Sequence, residues 1–364
     1  MKNTFGNAVT LTLFGESHGE QIGAVLDGLC PGLAVDESFL RAQMELRRPF
    51  GRISTARHER DAVSIVSGVC CGKTTGTPLC ILIPNTEQRS EDYAALKTVA
   101  RPGHADYTAF CKYRGHADMR GGGHFSGRLT APLVAAGAIL LSMLKGKGIV
   151  LGTHLLRCAG VSDRAFTPKA DELFAVNEKR FAVLDDAAGE RMREAIERAA
   201  NDGDSVGGVL ETAVLGVPAG VGEPWFDTVE GLLSHALFSI PAVKGVAFGD
   251  GFALADRFGS EANDPFAIEN GVVVTTSNRS GGVNGGITNG MPIRFCTAIK
   301  PTPSIGKPQR TVDFIKGEPT VLTLTGRHDP AIAHRARVAV DSITALVLVD
   351  LLTVRCGADW FSET

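Results

Sequence analysis

The chain has 364 residues and is 44% hydrophobic, which is enough to bury a large core. A prior of about 150 residues per domain would allow two domains. The 37 basic and 40 acidic side chains give a net charge of −3, so no global positive field draws the protein to nucleic acid. Glycine supplies 43 residues, about 12% against a usual share near 7%, an excess that asks for tight turns or backbone-lined ligand contacts. The eight cysteines have no CxxC spacing and include the adjacent pair Cys70 and Cys71. They read as buried thiols of a reducing compartment. No signal-peptide pattern opens the sequence, and the longest weakly polar run, Ala131 to Leu144, is too short to span a bilayer. The expectation is a cytoplasmic protein with neither a membrane nor a nucleic-acid partner.

The first strand is predicted over Asn7 to Phe14, delivering the polar turn Gly15-Glu16-Ser17-His18-Gly19, with a returning strand over Gln21 to Leu29. Asp36 suits the N-cap of a helix that carries Phe39, Leu40 and Met44 on one face. A basic cluster follows: Arg47, Arg48, Arg52, Arg57 and Arg60. The helix dipole explains part of it, but five arginines exceed what a dipole needs. Ala62 to Val69 and Pro78 to Ile83 read as strands. Gly68 to Thr74 between them resembles a P-loop, yet only three residues separate its glycines where the motif needs four. Thr130 to Leu144 is an apolar helix whose N-terminus points positive partial charge back at the preceding loop. Strands are expected over Ile149 to Cys158, Gly207 to Val217, Val243 to Phe248, Ile293 to Ile299 and Val321 to Leu324. Helices are expected over Glu190 to Ala200, Thr228 to Ile240 and Ile332 to Leu352. The polar turns adjoin strands and span positions 15 to 329, which favours one fold gathering distant loops over two independent domains.

The densest chemistry lies in Arg101 to Ala131, with His104, His116, His124, the glycine run Gly121 to Gly123, Ser126 and Arg128. Glycine allows close backbone approach, arginine supplies doubled donors for phosphate and carboxylate, and histidine supplies a proton near neutral pH. Arg48, Arg52, Arg101, Arg128 and Arg327 stand beside glycine, proline or histidine, where core side chains are scarce. The doubled pattern His104-Ala105-Asp106 and His116-Ala117-Asp118 has no third ligand at metal spacing, so no metal is expected. A hydrolytic triad from Ser17, His104 and Asp329 lacks the strand–turn–helix elbow. These residues describe a pocket for a polyanionic small molecule with histidine acid–base chemistry, and they do not name the reaction.

The ordered series FGESHG (Phe14 to Gly19), RRP (Arg47 to Pro49), TTGTP (Thr74 to Pro78), RPGHADYT (Arg101 to Thr108), RGGGHFSGRLTA (Arg120 to Ala131), GDS (Gly203 to Ser205), GVPAGVGEP (Gly216 to Pro224), AVKGVAFGDGF (Ala242 to Phe252), SGGVNGGITNG (Ser280 to Gly290), KPTPSI (Lys300 to Ile305) and GRHDP (Gly326 to Pro330) resembles the chorismate synthase family over essentially the whole chain. That resemblance implies one α+β domain over residues 1–364, with antiparallel sheets sandwiched between helices, assembled as a homotetramer. It implies a lyase that converts 5-enolpyruvylshikimate 3-phosphate to chorismate and phosphate by an anti elimination. This is the last step of the shikimate pathway, and it uses reduced FMN without net redox change. The catalytic positions carried over are His18 near the leaving phosphate, His104 beside the flavin, and Asp329 next to flavin N5. Substrate contacts fall on Ser17, Arg47, Arg52, Arg101, Arg128 and Arg327. FMN contacts fall on His124, Phe125, Ser126, Pro241, Ala242, Gly285, Lys300, Pro301, Thr302, Pro303, Ser304 and Arg327. Arg47 and Arg52 are alternatively carried over to NADP in the branch that reduces its own flavin with NADPH. The compact length favours an external flavin reductase. His124-Phe125-Ser126-Gly127-Arg128 stands where many members have Arg-Ser-Ser-Ala-Arg, and Pro241 replaces a usual asparagine, so an amide contact there is lost. The competing readings are another flavin- or phosphate-binding enzyme and a binding protein without catalysis.

Overall fold

The computed structural model describes residues 2–55, 61–86, 98–167, 169–324 and 329–362. The regular elements begin with β1 (Thr4–Phe5), β2 (Thr10–Gly15), β3 (Gln21–Asp27), α1 (Glu37–Arg47), β4 (Ser64–Ser67), β5 (Val69–Cys70), β6 (Lys73–Thr74) and β7 (Leu79–Pro84). They continue with α2 (Asp106–Tyr113), α3 (Thr130–Gly146), β8 (Val150–Cys158), β9 (Val161–Ser162), α4 (Ala170–Glu178), α5 (Asp186–Asn201), β10 (Gly208–Leu215), α6 (Val229–Leu237) and β11 (Val243–Phe248). The last set is α7 (Gly259–Ala262), β12 (Phe266–Glu269), β13 (Val272–Thr275), β14 (Val283–Asn284), β15 (Ile287–Thr288), β16 (Ile293–Ile299), β17 (Gln309–Asp313), β18 (Glu318–Leu322) and α8 (Ala333–Cys356).

Two five-stranded sheets carry the architecture, in the orders β1-β2-β3-β7-β4 and β11-β16-β10-β8-β9. Their strand pairs are antiparallel. Strands β7 and β16 alternate buried and partly exposed residues, the pattern of a sheet with one face on the core. Helices α3 and α8 are apolar nearly all round and must be enclosed on every side. They lie between the sheets, α3 against β3 and β7, α8 against β8 and β10, and each against the other. Helix α4 covers the other face of β8, so the second sheet is sandwiched between helices. The class is α+β with antiparallel sheets, as the family resemblance implies. The main hydrophobic core draws residues from Val9 to Phe361 and from both sheets, and a second, smaller cluster of Phe166, Leu173, Val176, Ala182 and Ala213 lies under α4.

The two central helices cross closely at one point. A side chain at Gly137 in α3 would overlap Ser342 in α8. Two hydroxyls inside α8 are satisfied within the helix: Ser342 and Thr344 donate to the carbonyls of Val338 and Val340 at 2.6 and 2.7 Å. Asp350 accepts from the backbone N–H groups of Asn7, Ala8 and Val9 and ties the N-terminal loop to α8.

Most expected elements are present within a few residues. Asp36 caps α1 by accepting from the N–H groups of Ser38 and Phe39 at 2.9 and 3.0 Å. Gly68 to Thr74 is not a phosphate loop, since β5 and β6 form a hairpin there. Helix α2 lies inside the stretch read as loop, and α4, the hairpin β12–β13 and strand β17 have no counterpart in the sequence reading, while β18 overlaps the strand expected at Val321 to Leu324. The cysteines are corrected as well: Cys70, Cys71, Cys111 and Cys356 are exposed, and only Cys30 and Cys158 are buried. Helix α3 with its preceding turn is long and apolar enough to cross a membrane, but it is enclosed between the sheets.

The Gly137 crossing yields a stability prediction. Gly137→Ala should overpack the α3–α8 contact and cost about 2–3 kcal/mol. Denaturant unfolding checks this, and Ser342→Gly in the same chain should recover part of the loss.

Candidate active site

Strand β2 ends at Gly15 and delivers Ser17 and His18 into the interior, where both are buried. The glycine run of Gly121, Gly122 and Gly123 passes over them with φ of 62°, 96° and 54°. Those values disfavour ordinary side chains, and the neighbours leave them little space. A Cβ at Gly121 would overlap the His18 imidazole and lie 2.9 Å from the Ser17 hydroxyl. A Cβ at Gly122 would lie 3.2 Å from His104 Nε2 and 3.7 Å from Ser126 Cβ. The Ser17 N–H donates to the Gly123 carbonyl at 3.1 Å. One bare backbone run therefore contacts both imidazoles. The Ser17 hydroxyl is buried with no hydrogen-bond partner among the described residues.

His104 Nδ1 lies between a donor and an acceptor. It is 3.1 Å from Arg101 Nη2 and 3.1 Å from Asp106 Oδ1. A neutral ring can accept from the arginine, and a charged ring can donate to the carboxylate. Asp106 sits at the start of α2 and is clamped by the Arg101 guanidinium at 2.6 and 2.8 Å and by the Arg101 N–H at 2.9 Å. Burial alone would raise its pKa. The Arg101 and His104 hydrogen bonds and charges more than reverse that and hold the carboxyl far below the usual range.

The second cluster centres on Asp61, whose side chain is fully buried. Arg128 and Arg47 both pair with it, Arg47 through Nη1 at 3.2 Å. Arg47 Nη2 also donates to the Arg128 carbonyl at 3.4 Å. Arg128 Nε donates to Asn85 Oδ1 at 2.9 Å. Arg335 pairs with Asp329 and donates to the Arg47 carbonyl at 3.2 Å. Asp329 Oδ1 has no hydrogen-bond partner among the described residues. Four guanidiniums (Arg47, Arg101, Arg128, Arg335) thus meet three carboxylates (Asp61, Asp106, Asp329).

The segments carried over to FMN join this region from one side. Lys300 Nζ donates to the Gly103 carbonyl, and the Lys300 N–H donates to the Ala242 carbonyl at 2.9 Å. A Cβ at Gly103 would touch Pro303 at 3.4 Å. Ser205 donates to the Thr302 carbonyl at 2.7 Å, while the Val206 N–H donates to the Pro330 carbonyl at 2.8 Å. This chain of contacts brings Asp329 and residues 300–304 together. The Thr302 hydroxyl is buried without a partner among the described residues.

The structure sorts the sequence-derived candidates. Ser17, His18, His104, Ser126, Arg47, Arg101, Arg128 and Asp329 belong to the connected cluster. Arg52 is exposed instead. Arg327 lies outside the described residues, as do Arg57 and Arg60. Gly285 sits in the exposed turn between β14 and β15, where a Cβ would meet nothing. The His124 side chain is engaged elsewhere, its Nδ1 donating to the Gly15 carbonyl at 2.8 Å, and Phe125 packs edge-on against Tyr113. The two His-Ala-Asp repeats are unequal: His116 is exposed, and Asp118 pairs with Arg120. Asp61, Asn85 and Arg335 escaped the sequence reading, since none stands in a glycine- or histidine-rich motif. Among the described residues no group of three His, Cys, Asp or Glu could hold a metal.

Fold and site together define a cluster of guanidiniums paired with carboxylates, beside two imidazoles that share one glycine run. The family profile for chorismate synthase matches residues 9–353. The chain is 47% identical over 350 residues to the chorismate synthase of Thermococcus gammatolerans, covering 96% of this chain and 97% of that one. It is 45% identical over 356 residues to that of Aeropyrum pernix, covering 97% and 93%. A solved structure, described as the crystal structure of chorismate synthase, superimposes with a TM-score of 0.76 at 28% identity, covering 97% of this chain and 94% of that one. The chain belongs to the chorismate synthase family, and it is an enzyme.

Asp106 provides a test of the electrostatics. Asp106→Asn leaves the buried Arg101 without its counter-charge and should cost about 3 kcal/mol at pH 7. A depressed carboxyl pKa contributes stability above the unfolded value near 4, which is lost as pH falls through the folded value. Denaturation at pH 7 and pH 3 should therefore show the gap between wild type and variant narrowing on acidification.

Proposed function

We propose that the chain converts 5-enolpyruvylshikimate 3-phosphate to chorismate and inorganic phosphate by an anti 1,4-elimination, with reduced FMN as resident cofactor. The observation that carries this reading is the pair of imidazoles held on one glycine run, flanked by the buried arginines. The substrate brings a phosphate and two carboxylates, which suits the planar, doubled donors of Arg47, Arg101 and Arg128. In the described state these guanidiniums are held by Asp61 and Asp106, so the site is preorganised and close to charge balance. A ligand carrying about −3.5 to −4 at pH 7 then makes the site negative overall and favours a proton on His18. From there the proton serves the departing phosphate. His104, with Nδ1 donating to Asp106 when the ring is charged, would give its other proton, on Nε2, to the bound flavin. Asp329, with one oxygen on Arg335 and the other without a partner among the described residues, is the base for the ring proton.

The residues present fit a flavin. The buried Thr302 hydroxyl, without a partner among the described residues, offers a polar group to FMN, and the exposed turn at Gly285 offers open space. When bound, reduced FMN supplies electron density to the ring as phosphate departs. The backbone at Ser126, Pro241, Ala242 and residues 300–304 would hold it, with the Phe125 ring turned away. We read the flavin as reduced by an external reductase. Arg47 is committed to buried pairs while Arg52 stands exposed, which speaks for separate roles over a joint NADP clamp. We further read the chain as one domain in a cytoplasmic homotetramer. The continuous core supports the first point, and the exposed Trp225, Phe226, Phe252 and Phe258 support the assembly.

Under anaerobic conditions, purified protein with dithionite-reduced FMN and 5-enolpyruvylshikimate 3-phosphate should release phosphate and form chorismate. His104→Ala should slow turnover by about 100-fold or more if the ring transfers a proton. Absence of phosphate release from the wild type would remove the assignment, and a loss under about twofold would make His104 structural.

A further inference from the structure

We propose that Asn85 is a positioning residue that locks the His18 turn to Arg128, an inference that rests on the reaction proposed above. Asn85 follows the last residue of β7, and its N–H donates to the Glu20 carbonyl at 3.0 Å. Its side-chain Nδ2 donates to two carbonyls of the turn that carries His18, Glu16 at 3.0 Å and Gly19 at 2.8 Å. Its Oδ1 accepts from Arg128 Nε at 2.9 Å. The neighbouring Pro84 carbonyl receives Arg128 Nη2 at 3.4 Å.

The chemistry leaves one amide orientation. Flipping the side chain would set its oxygen against two carbonyl oxygens and its NH2 against a guanidinium N–H. The three partners therefore require donors at one end of a short planar group and an acceptor at the other. Aspartate lacks the donors, serine lacks the reach to all three, and glutamine adds a methylene. Within the turn Glu16–Gly19, the Gly19 N–H donates to the Glu16 carbonyl at 3.1 Å. The turn is held from the opposite side by the Ser17 N–H on the Gly123 carbonyl. Asn85 thus fixes how far the His18 imidazole stands from the arginine that the proposed substrate would meet. Misplacement by about 1 Å of a group in a proton transfer can cost about 100-fold in rate.

The test uses Asn85→Ala and Asn85→Asp in the full chain. Asn85→Asp keeps an acceptor for Arg128 and loses both donors to the turn. Hydrogen exchange of the peptide spanning residues 16–20 should quicken by about tenfold in both variants, whatever the reaction, because the turn loses its anchor. In the anaerobic assay, kcat should fall by about tenfold or more in both, while KM should rise in Asn85→Ala and stay within about twofold in Asn85→Asp. In a His18→Ala background neither variant should lower kcat further, since the two residues act as one unit. Unchanged exchange at residues 16–20 would overturn the proposal, as would equal losses with and without His18. If the wild type releases no phosphate, the reaction is wrong, and the exchange result still decides whether Asn85 anchors the turn.

Discussion

A side chain at position 121 would occupy the space of the His18 imidazole, and one at 122 would press on His104. The site depends on this absence of side chains. Bare backbone brings two ring systems from distant parts of the chain to one surface, and positive φ at all three glycines keeps that backbone in a shape other residues resist. The rest of the fold serves to hold the run in place. Gly123 takes the Ser17 N–H, His124 takes the Gly15 carbonyl, and Ser126 accepts from the Arg128 N–H at 3.2 Å where the chain turns into α3. Helix α3 is itself fixed between two sheets.

Electrostatics then decide what the site does. Isolated buried guanidiniums would be costly and would hold nearby imidazoles neutral. Asp61 and Asp106 remove most of that cost by pairing with Arg47, Arg128 and Arg101. The arginines remain charged and in place while the site as a whole stays near balance. Ligand charge, added to such a site, has a large effect on the imidazoles because little solvent remains to screen it. On this account the anion that is to react also creates the proton donor that helps it leave.

Much of this was legible in the sequence. Glycine and histidine advertise themselves where apolar residues are scarce, so His18, His104 and the run at Gly121 were visible before any fold was known. The long apolar helices and the alternating strands were visible through periodicity. Asp61 was not, because an aspartate in a charged segment has no pattern that separates a buried counter-ion from a solvated residue. Asn85 was hidden for a similar reason: its role lies in three partners far apart in sequence. The two His-Ala-Asp repeats look alike and both pair locally with an arginine, but tertiary packing buries the Asp106–Arg101 pair and leaves Asp118–Arg120 partly exposed. Helix α2 was missed because its polar, short sequence reads as loop, though it is what carries Asp106 beneath His104. The His124 ring, carried over to FMN by resemblance, also has a structural bond that sequence does not show, from its Nδ1 to the Gly15 carbonyl at the end of β2.

The central claim is that ligand charge places the proton on His18. The direct measurement is an NMR titration of the His18 ring in protein labelled at histidine, taken without ligand and again with reduced FMN and 5-enolpyruvylshikimate 3-phosphate or an unreactive analogue. The account predicts a larger protonated fraction at pH 7 in the ternary complex than in the free protein. Equal protonation of His18 in both states would contradict it.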